Sequence, residues 1–430
     1  MAELVWRGKG RARHAAPAPL RTDEAHGGAG GWQNRLIHGE TERVLPGLLG
    51  ELAGKVALVY VDPPFDTGGT FDYLAAIPGV PEGTPRVALP AYRDARGLDA
   101  WLAWFHEIAT QLRDLLAEGG SLYVHLDAHA VHYAKVLLDE VFGAGAFQRE
   151  IVWRIGWVSG FKSRARGWIR NHDTLLFYAK GGRPATFHKE YIPYPSGYVR
   201  RDGSPPRGPG YPLEDVWNAS ELDRLDSIQI VSFSGEKVGY PTQKNESLLS
   251  RIVSASSNPG DLVLDGFVGS GTTAVVAEKL GRRWIACDAS PLAMHATRRR
   301  LLGLREPRPF VVQSAGRAAR SRGKLGARAV VEGRACTLAL DSFALETPGV
   351  PPDLRAAVTH WSQWLEGWCV DWEHQEGPMR SGACIWRGRR GLTLSATHAY
   401  ERPGRYVALV KAFDVLGGAT TRALRVDVKE

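Results

Sequence analysis

The chain has 430 residues, 44% hydrophobic and 23% charged, which fits a globular fold with room for one large domain and a smaller one. No apolar run reaches membrane-spanning length, and the N-terminal stretch MAELVWRGKGRARH lacks the apolar core of a secretion signal. A net charge of +8 suits a polyanionic partner; four scattered cysteines (Cys287, Cys336, Cys369, Cys384) with no C-x-x-C pair speak against a disulfide framework or zinc site and for a reducing cytoplasm.

Residues 1–32, rich in Ala, Gly, Pro and Arg, read as a loose basic tail. From 33 to 305, short apolar runs alternate with amphipathic stretches. KVALVYVD, SLYVHLD, DTLLFYAKG, DLVLDGF and RRWIACD have the character of strands buried on both faces of a parallel sheet. Between them, Trp101, Trp104, Phe105, Ile108, Leu112, Leu115 and Leu116 recur at helical spacing, with Gly119-Gly120 as the expected stop. AVHYAKVLLDEVFGAG and NESLLSRIVSASSNPG behave alike. The alternation predicts an α/β fold with a doubly wound, mostly parallel sheet.

Two strands end in unusual loops, and in such sheets ligands sit beyond the carboxyl ends of the strands. The first is Asp62-Pro63-Pro64-Phe65. Prolines stiffen the backbone and remove amide donors, Asp62 supplies an acceptor and Phe65 a flat face. This set suits a planar amine. The second loop lies in LVLDGFVGSGTTAVVAEKLG, a strand, a glycine-rich turn and a helix. Gly269 and Gly271 are expected to let backbone approach a ligand. It is neither a P-loop nor G-x-G-x-x-G. The following strand ends at Asp288, suited to a ribose diol, so a nucleoside cofactor is the natural reading.

Other features carry less. His125, His129 and His132 are read as structural rather than metal-binding, and no metal is expected. WRIGWVSGFKSRARGWIRNHD interleaves Arg154, Lys162, Arg164, Arg166 and Arg170 with aromatic residues; phosphate contact competes with a solvated basic loop. Residues 181–240 are rich in Pro, Gly, Tyr and Arg and weak in periodicity. Residues 306–330 read as a basic linker. The 331–430 region switches to period two, with RYVALVKAFDV and TRALRVDVK joined around Gly417-Gly418, and is expected to form a separate small β-sandwich domain.

Together these motifs resemble the amino-group DNA methyltransferases that use S-adenosylmethionine. In that family D-P-P-Y/F binds the target amine and F-x-G-x-G the cofactor; here these are Asp62, Pro63, Pro64 and Phe65, and Phe267 to Gly271. The catalytic motif comes first and the cofactor loop about two hundred residues later, the permuted order of the beta group. The resemblance, over most of 33–305, implies cofactor contacts from Glu40, Thr242, Lys244, Asp265, Phe267, Gly269, Gly271, Thr272 and Asp288. It implies nucleic-acid contacts from Lys162, Arg164, Arg166, His172, Arg200 and Arg201, and target recognition by 181–240. Double-stranded DNA is the implied substrate, with a restriction nuclease subunit and a homodimer as candidate assemblies. Asp rather than Ser before Pro-Pro favours adenine N6 over cytosine N4. A catalytically silent DNA-binding subunit and an RNA methyltransferase are the competing readings. HAYERPGRYVALVKAFDVLGG resembles polycystic-kidney-disease-type β-sandwiches through Tyr400, Pro403-Gly404, Tyr406 and Asp414.

Overall fold

The computed structural model describes residues 3–10, 15–28, 30–81, 83–84, 86–156, 166–218, 222–223, 225–227, 235–316, 323–347 and 349–429. In chain order the first part comprises β1 (Leu20–His26), β2 (Asn34–His38), α1 (Thr41–Leu52), β3 (Val56–Val61), β4 (Gly69–Ala75), β5 (Val87–Asp94), α2 (Leu98–Leu115), β6 (Leu116–Leu126), α3 (Val131–Phe142), β7 (Phe147–Arg154) and β8 (His172–Ala179). Then come β9 (Tyr191–Pro193), β10 (Gly210–Pro212), β11 (Val216–Trp217), α4 (Glu246–Ser256), β12 (Leu262–Asp265), α5 (Thr272–Lys279), β13 (Arg283–Asp288), α6 (Pro291–Leu302) and β14 (Phe310–Ala315). The remainder holds β15 (Gly323–Glu332), β16 (Ala335–Leu345), α7 (Pro352–Ala356), a 3-10 turn at Trp361–Trp364, β17 (Leu365–Asp371), β18 (Met379–Ser381), β19 (Ala383–Trp386), β20 (Ser395–Ala399), β21 (Gly404–Asp414) and β22 (Ala419–Val428).

An eleven-stranded sheet runs β11-β7-β8-β6-β3-β12-β13-β2-β14-β1-β18. From β6 to β14 every neighbouring pair is parallel. Side chains alternate across the sheet, so Val59 and Val61 join one core with α1, α2 and α3. Leu58 and Tyr60 join the other with α4, α5 and α6. This is the doubly wound α/β fold. Its parallel strands end together at Glu40, Asp62, Asp265 and Asp288, the edge where ligands bind. Pro46 lies inside α1 and cannot donate to the Glu42 carbonyl. Gln111 Nε2 on α2 reaches that carbonyl at 3.5 Å, tying the two helices together.

Several boundaries differ from the sequence reading. The helix expected to run to Gly119-Gly120 ends at Leu115, and both glycines lie inside β6. The register against β3 jumps there, from Val56↔Leu116 to Leu58↔Ser121, and a Cβ on Gly119 would stand 2.7 Å from the Ala185 backbone nitrogen. The glycines serve a bulge, not a helix stop. The N-terminal segment is not wholly a loose tail. Trp6 is buried, Ala15 N–H donates to Glu107 Oε1 at 2.6 Å, and β1 pairs antiparallel with β14. The expected linker from 306 to 330 contains both β14 and most of β15.

The C-terminal part is a pair of antiparallel sheets, β15-β16-β20 and β19-β17-β21-β22, with the β21–β22 hairpin turning at Gly417 as expected. It is not separate from the main sheet. Its strand β18 pairs with β1 as the last strand of the central sheet, Glu24 opposite Met379. Cys369 and Cys384, directly opposite on β17 and β19, form a disulfide, against the expectation from their spacing. A sequence separation of 15 conceals that they face each other across two strands.

Glu24 is the knot between the two parts. Only 1% exposed, it accepts from Arg298 at 3.0 Å and Lys411 at 2.5 Å, and lies 3.0 Å from His26 Nε2. Burial opposes its charge, yet the two cations hold its carboxyl well below the usual range. Glu24→Gln strands the cations, and breaking a buried pair costs about 3 kcal/mol or more. A depressed carboxyl stabilises above its unfolded pKa and stops doing so as pH falls through its folded value. Chemical denaturation should therefore show a large stability gap to wild type at neutral pH that narrows in acid.

Candidate active site

A cavity of about 370 Å³ opens at the carboxyl ends of β2, β3, β12 and β13. Glu40, Asp62, Thr242, Lys244, Asp265, Phe267, Gly269, Thr272 and Asp288 all line it. Tyr60, Pro64, Tyr92, Arg93, Arg96, Trp104, Tyr240 and Ser290 complete much of the wall.

Asp62 is placed by β3, whose buried run ends one residue earlier. Lys244 Nζ donates to its Oδ2 at 2.5 Å. Its Oδ1 is buried with no hydrogen-bond partner. A buried carboxylate oxygen left open costs of the order of 1–3 kcal/mol, so its retention marks a site awaiting a donor. The Pro64 carbonyl accepts from Trp101 Nε1 at 2.7 Å, which anchors the motif on α2 and uses one of that carbonyl's two lone pairs. Phe65 stands outside the cavity lining. Its ring stacks toward His125 at 6.3 Å and 21°, with the Lys244 ammonium 5.7 Å from its centre.

His125 is fully buried behind it. Tyr60 Oη lies 2.9 Å from His125 Nδ1, and His125 Nε2 lies 3.3 Å from Asp173 Oδ2. Burial works against the Asp173 charge, but His125, Lys244 and Arg170 bring its carboxyl down to about 2. Arg170 also reaches Asp127. His129 Nδ1 sits 2.9 Å from Asp127 Oδ2. Among the described residues no group of three or more ligands could hold a metal.

The glycine loop is held by two acids. Asp265 Oδ1 accepts from Phe267 N–H at 2.8 Å; Asp288 accepts from Gly269 N–H and Ser290 N–H, each at 2.9 Å. Burial lifts Asp265 to about 7 and Asp288 to about 6, and raises Glu40. Thr272 Oγ1 donates to the Lys244 carbonyl at 2.9 Å, joining the loop to the residue that grips Asp62.

A signature described as DNA methylase (N6_N4_Mtase) matches residues 56–299, from the start of β3 to within α6. The chain belongs to the DNA methylase family. The Type II methyltransferase M.EcaI of Enterobacter cloacae is 28% identical over 316 residues, spanning 59% of this chain and 66% of the relative, just short of two thirds of its length. The DNA adenine methyltransferase YhdJ of Escherichia coli K12 is 27% identical over 271 residues, 59% of this chain and 77% of the relative. Among solved structures, the M1.HpyAVI–SAM complex aligns with TM-score 0.41 and 18% identity, covering 63% of this chain and 99% of its own. The PKD1 domain of Vibrio cholerae metalloprotease PrtV aligns with TM-score 0.16 and 13% identity, covering 25% of this chain and 95% of its own.

The two loop glycines divide their work. Gly269 (φ +49°) lines the cavity, facing Tyr240. Gly271 (φ +85°) does not line it. A Cβ there would lie 2.7–2.9 Å from Thr297, including its Cα, so this glycine lets α5 and α6 close up and does not meet a ligand directly. Tyr92, Arg96, Trp104 and Tyr240 were not singled out from sequence as site residues; Trp104 had been counted on the apolar face of its helix, with no signal separating it from core.

The expected nucleic-acid contacts divide differently. Lys162 and Arg164 lie outside the described residues. Arg166, His172 and Arg201 are exposed, and Trp168 is fully so. Arg200 is half-buried and bonds to Ser204 Oγ at 3.2 Å. Nearby, Tyr194 and Tyr198 stack at 4.6 Å with Tyr211 edge-on. No helix among the described residues is long and apolar enough to cross a membrane.

The division between glycines is testable. Gly271→Ala should lower the melting temperature, through strained backbone and overpacking worth about 1–3 kcal/mol. Gly269→Ala, also at positive φ but meeting only the Tyr240 ring at 3.3 Å, should cost less stability than Gly271→Ala and weaken ligand binding more. Differential scanning fluorimetry with and without cofactor separates the two outcomes.

Proposed function

We propose that this protein is a site-specific DNA methyltransferase, moving a methyl group from S-adenosylmethionine to the exocyclic amine of a flipped-out base, adenine N6 before cytosine N4. The observation that carries the reading is the half-satisfied Asp62: one oxygen gripped by Lys244, the other buried and open.

The cavity suits the cofactor on its own chemistry. Five carboxylates (Glu40, Glu42, Asp62, Asp265 and Asp288) line it against three cations (Arg93, Arg96 and Lys244), and the excess of acid favours a cationic guest. Backbone at Gly269 lies against it. When bound, the cofactor supplies an electrophilic methyl on a sulfonium. Glu40 and Asp288 are the acids suited to its nucleoside, while Thr242, Thr272 and the 267–269 backbone face its amino-acid end.

Asp62 Oδ1 accepts a hydrogen of the target amine, which turns the nitrogen lone pair toward the methyl. Lys244 fixes the carboxylate by its other oxygen. As positive charge grows on nitrogen, Asp62 is already oriented toward it, which is electrostatic preorganisation. The Pro63 carbonyl is the other candidate acceptor, since that of Pro64 already accepts from Trp101. The base must leave the duplex to reach this depth, and Phe65 offers it a stacking face. Residues 181–240, with the Tyr194–Tyr198–Tyr211 cluster, are assigned to sequence choice, and Arg166, His172 and Arg201 to the DNA backbone. M.EcaI is named a Type II methyltransferase, which supports looking for a partner nuclease.

Adenine is preferred because Asp rather than Ser opens the motif, and YhdJ is named an adenine enzyme. The intact Asp62 argues against a silent DNA-binding subunit. With labelled cofactor and DNA, Asp62→Ala should lose on the order of a hundredfold or more in turnover while still binding cofactor. Near-normal turnover would remove Asp62 from the mechanism.

The raised acids also set a pH dependence. Asp288 near 6 and Asp265 near 7 lose their protons as pH rises through those values. Each proton lost adds negative charge to the wall, so affinity for the cationic cofactor should rise from about pH 5 to 8. S-adenosylhomocysteine, without the sulfonium charge, should show a weaker rise. Calorimetry of both ligands across that range checks the sign; equal slopes would contradict it.

A further inference from the structure

The hairpin β4–β5 follows directly after the catalytic motif, and Ala91, Tyr92 and Arg93 on β5 line the cavity. Tyr92 Oη meets Thr242 Oγ1 at 3.2 Å, beside the residue that grips Asp62. Two antiparallel strands standing alone are marginal in water. In this sheet topology β4 and β5 pair only with each other. Something else must hold them.

The C-terminal β domain covers them. Tyr73, Ala75, Ile77, Val87 and Ala91 belong to one buried cluster with Trp364, Leu365 and Trp368 of that domain. At the hairpin tip, Gln363 Nε2 donates to the Pro78 carbonyl at 2.8 Å. Gln363 is itself fixed, its Oε1 accepting from Thr359 N–H and His360 N–H at 2.8 Å each. Gly79 (φ +75°) admits it so closely that a Cβ there would stand 3.0 Å from Nε2. The same domain grips the opposite wall. Glu366 accepts from His295 at 2.7 Å and Arg299 at 3.0 Å on α6, whose first residue, Pro291, lines the cavity. Burial, and then the Glu366 charge, lifts the Tyr73 phenol on the hairpin to about 12.

We infer that the C-terminal β domain is the outer support of the cofactor cavity, with Gln363 a positioning residue that holds the β4–β5 wall in register. The inference rests on the cavity being the cofactor site. It assigns the domain a role inside the catalytic unit, in place of a detachable module.

Gln363→Ala removes the strut from the outside of the cavity without touching its lining. The variant should bind S-adenosylmethionine several-fold more weakly by calorimetry. KM for cofactor should rise while kcat at saturating cofactor holds. Hydrogen exchange should quicken across 87–94 in the free variant, and cofactor should restore protection. In wild type, saturating cofactor should slow exchange both in 87–94 and in 359–366, a measurement that requires no variant. A folded Gln363→Ala with unchanged affinity, or wild-type protection absent from 359–366, overturns the inference. Failure of wild type to bind the cofactor at all would instead overturn the assignment of the cavity.

Discussion

The structure is organised around one carboxylate that is only half satisfied. Asp62 has Lys244 on Oδ2 and nothing on Oδ1, in a buried setting where an open acceptor is costly. Holding it there takes contributions from distant parts of the chain. β3 delivers it, Trp101 on α2 pins the next carbonyl but one, and Lys244 arrives from a segment whose own carbonyl is tied to Thr272 on the glycine loop. The D-P-P-F motif and the glycine loop are therefore one mechanical unit, joined through Lys244. The sequence reading places Lys244 at the cofactor; it lines that cavity, but its shortest bond is to Asp62.

Charge follows the same logic. Five carboxylates around one cavity repel each other; burial first, and then that repulsion, lifts Glu40, Asp265 and Asp288 toward neutrality. The arrangement favours a guest that brings positive charge, because crowded acids place the cavity wall under electrostatic strain. Asp265 and Asp288 offset part of that strain by accepting backbone N–H groups of the loop, so the same acids that attract a cation also shape the turn that receives it.

Much of the catalytic sheet was legible because its strands are buried on both faces and read as unbroken apolar runs. VALVYV, LVLD and RWIACD became β3, β12 and β13. The two motif loops were legible because Pro-Pro and paired glycines have few other reasons to stand at strand ends. What stayed hidden depended on long-range polar contact. β1, LRTDEAH, looks like tail because its buried Glu24 is an acid, and only Arg298 and Lys411, far along the chain, make that burial tolerable. Gly119-Gly120 looked like a helix stop because sequence does not show Ala185 crowding the strand. The C-terminal domain looked separable because its period-two strands are self-consistent; nothing local reveals that β18 completes the central sheet or that Gln363 reaches Pro78.

The central claim is that Asp62 presents a base amine to the cofactor. Nucleoside mass spectrometry of DNA from cells expressing the wild type or Asp62→Ala tests it most directly. The account predicts N6-methyladenine at one short recurring sequence with the wild type, and its near-absence with the variant. Equal methylation from both would contradict the role of Asp62, and no methylated base from a folded, cofactor-binding wild type would contradict the activity itself.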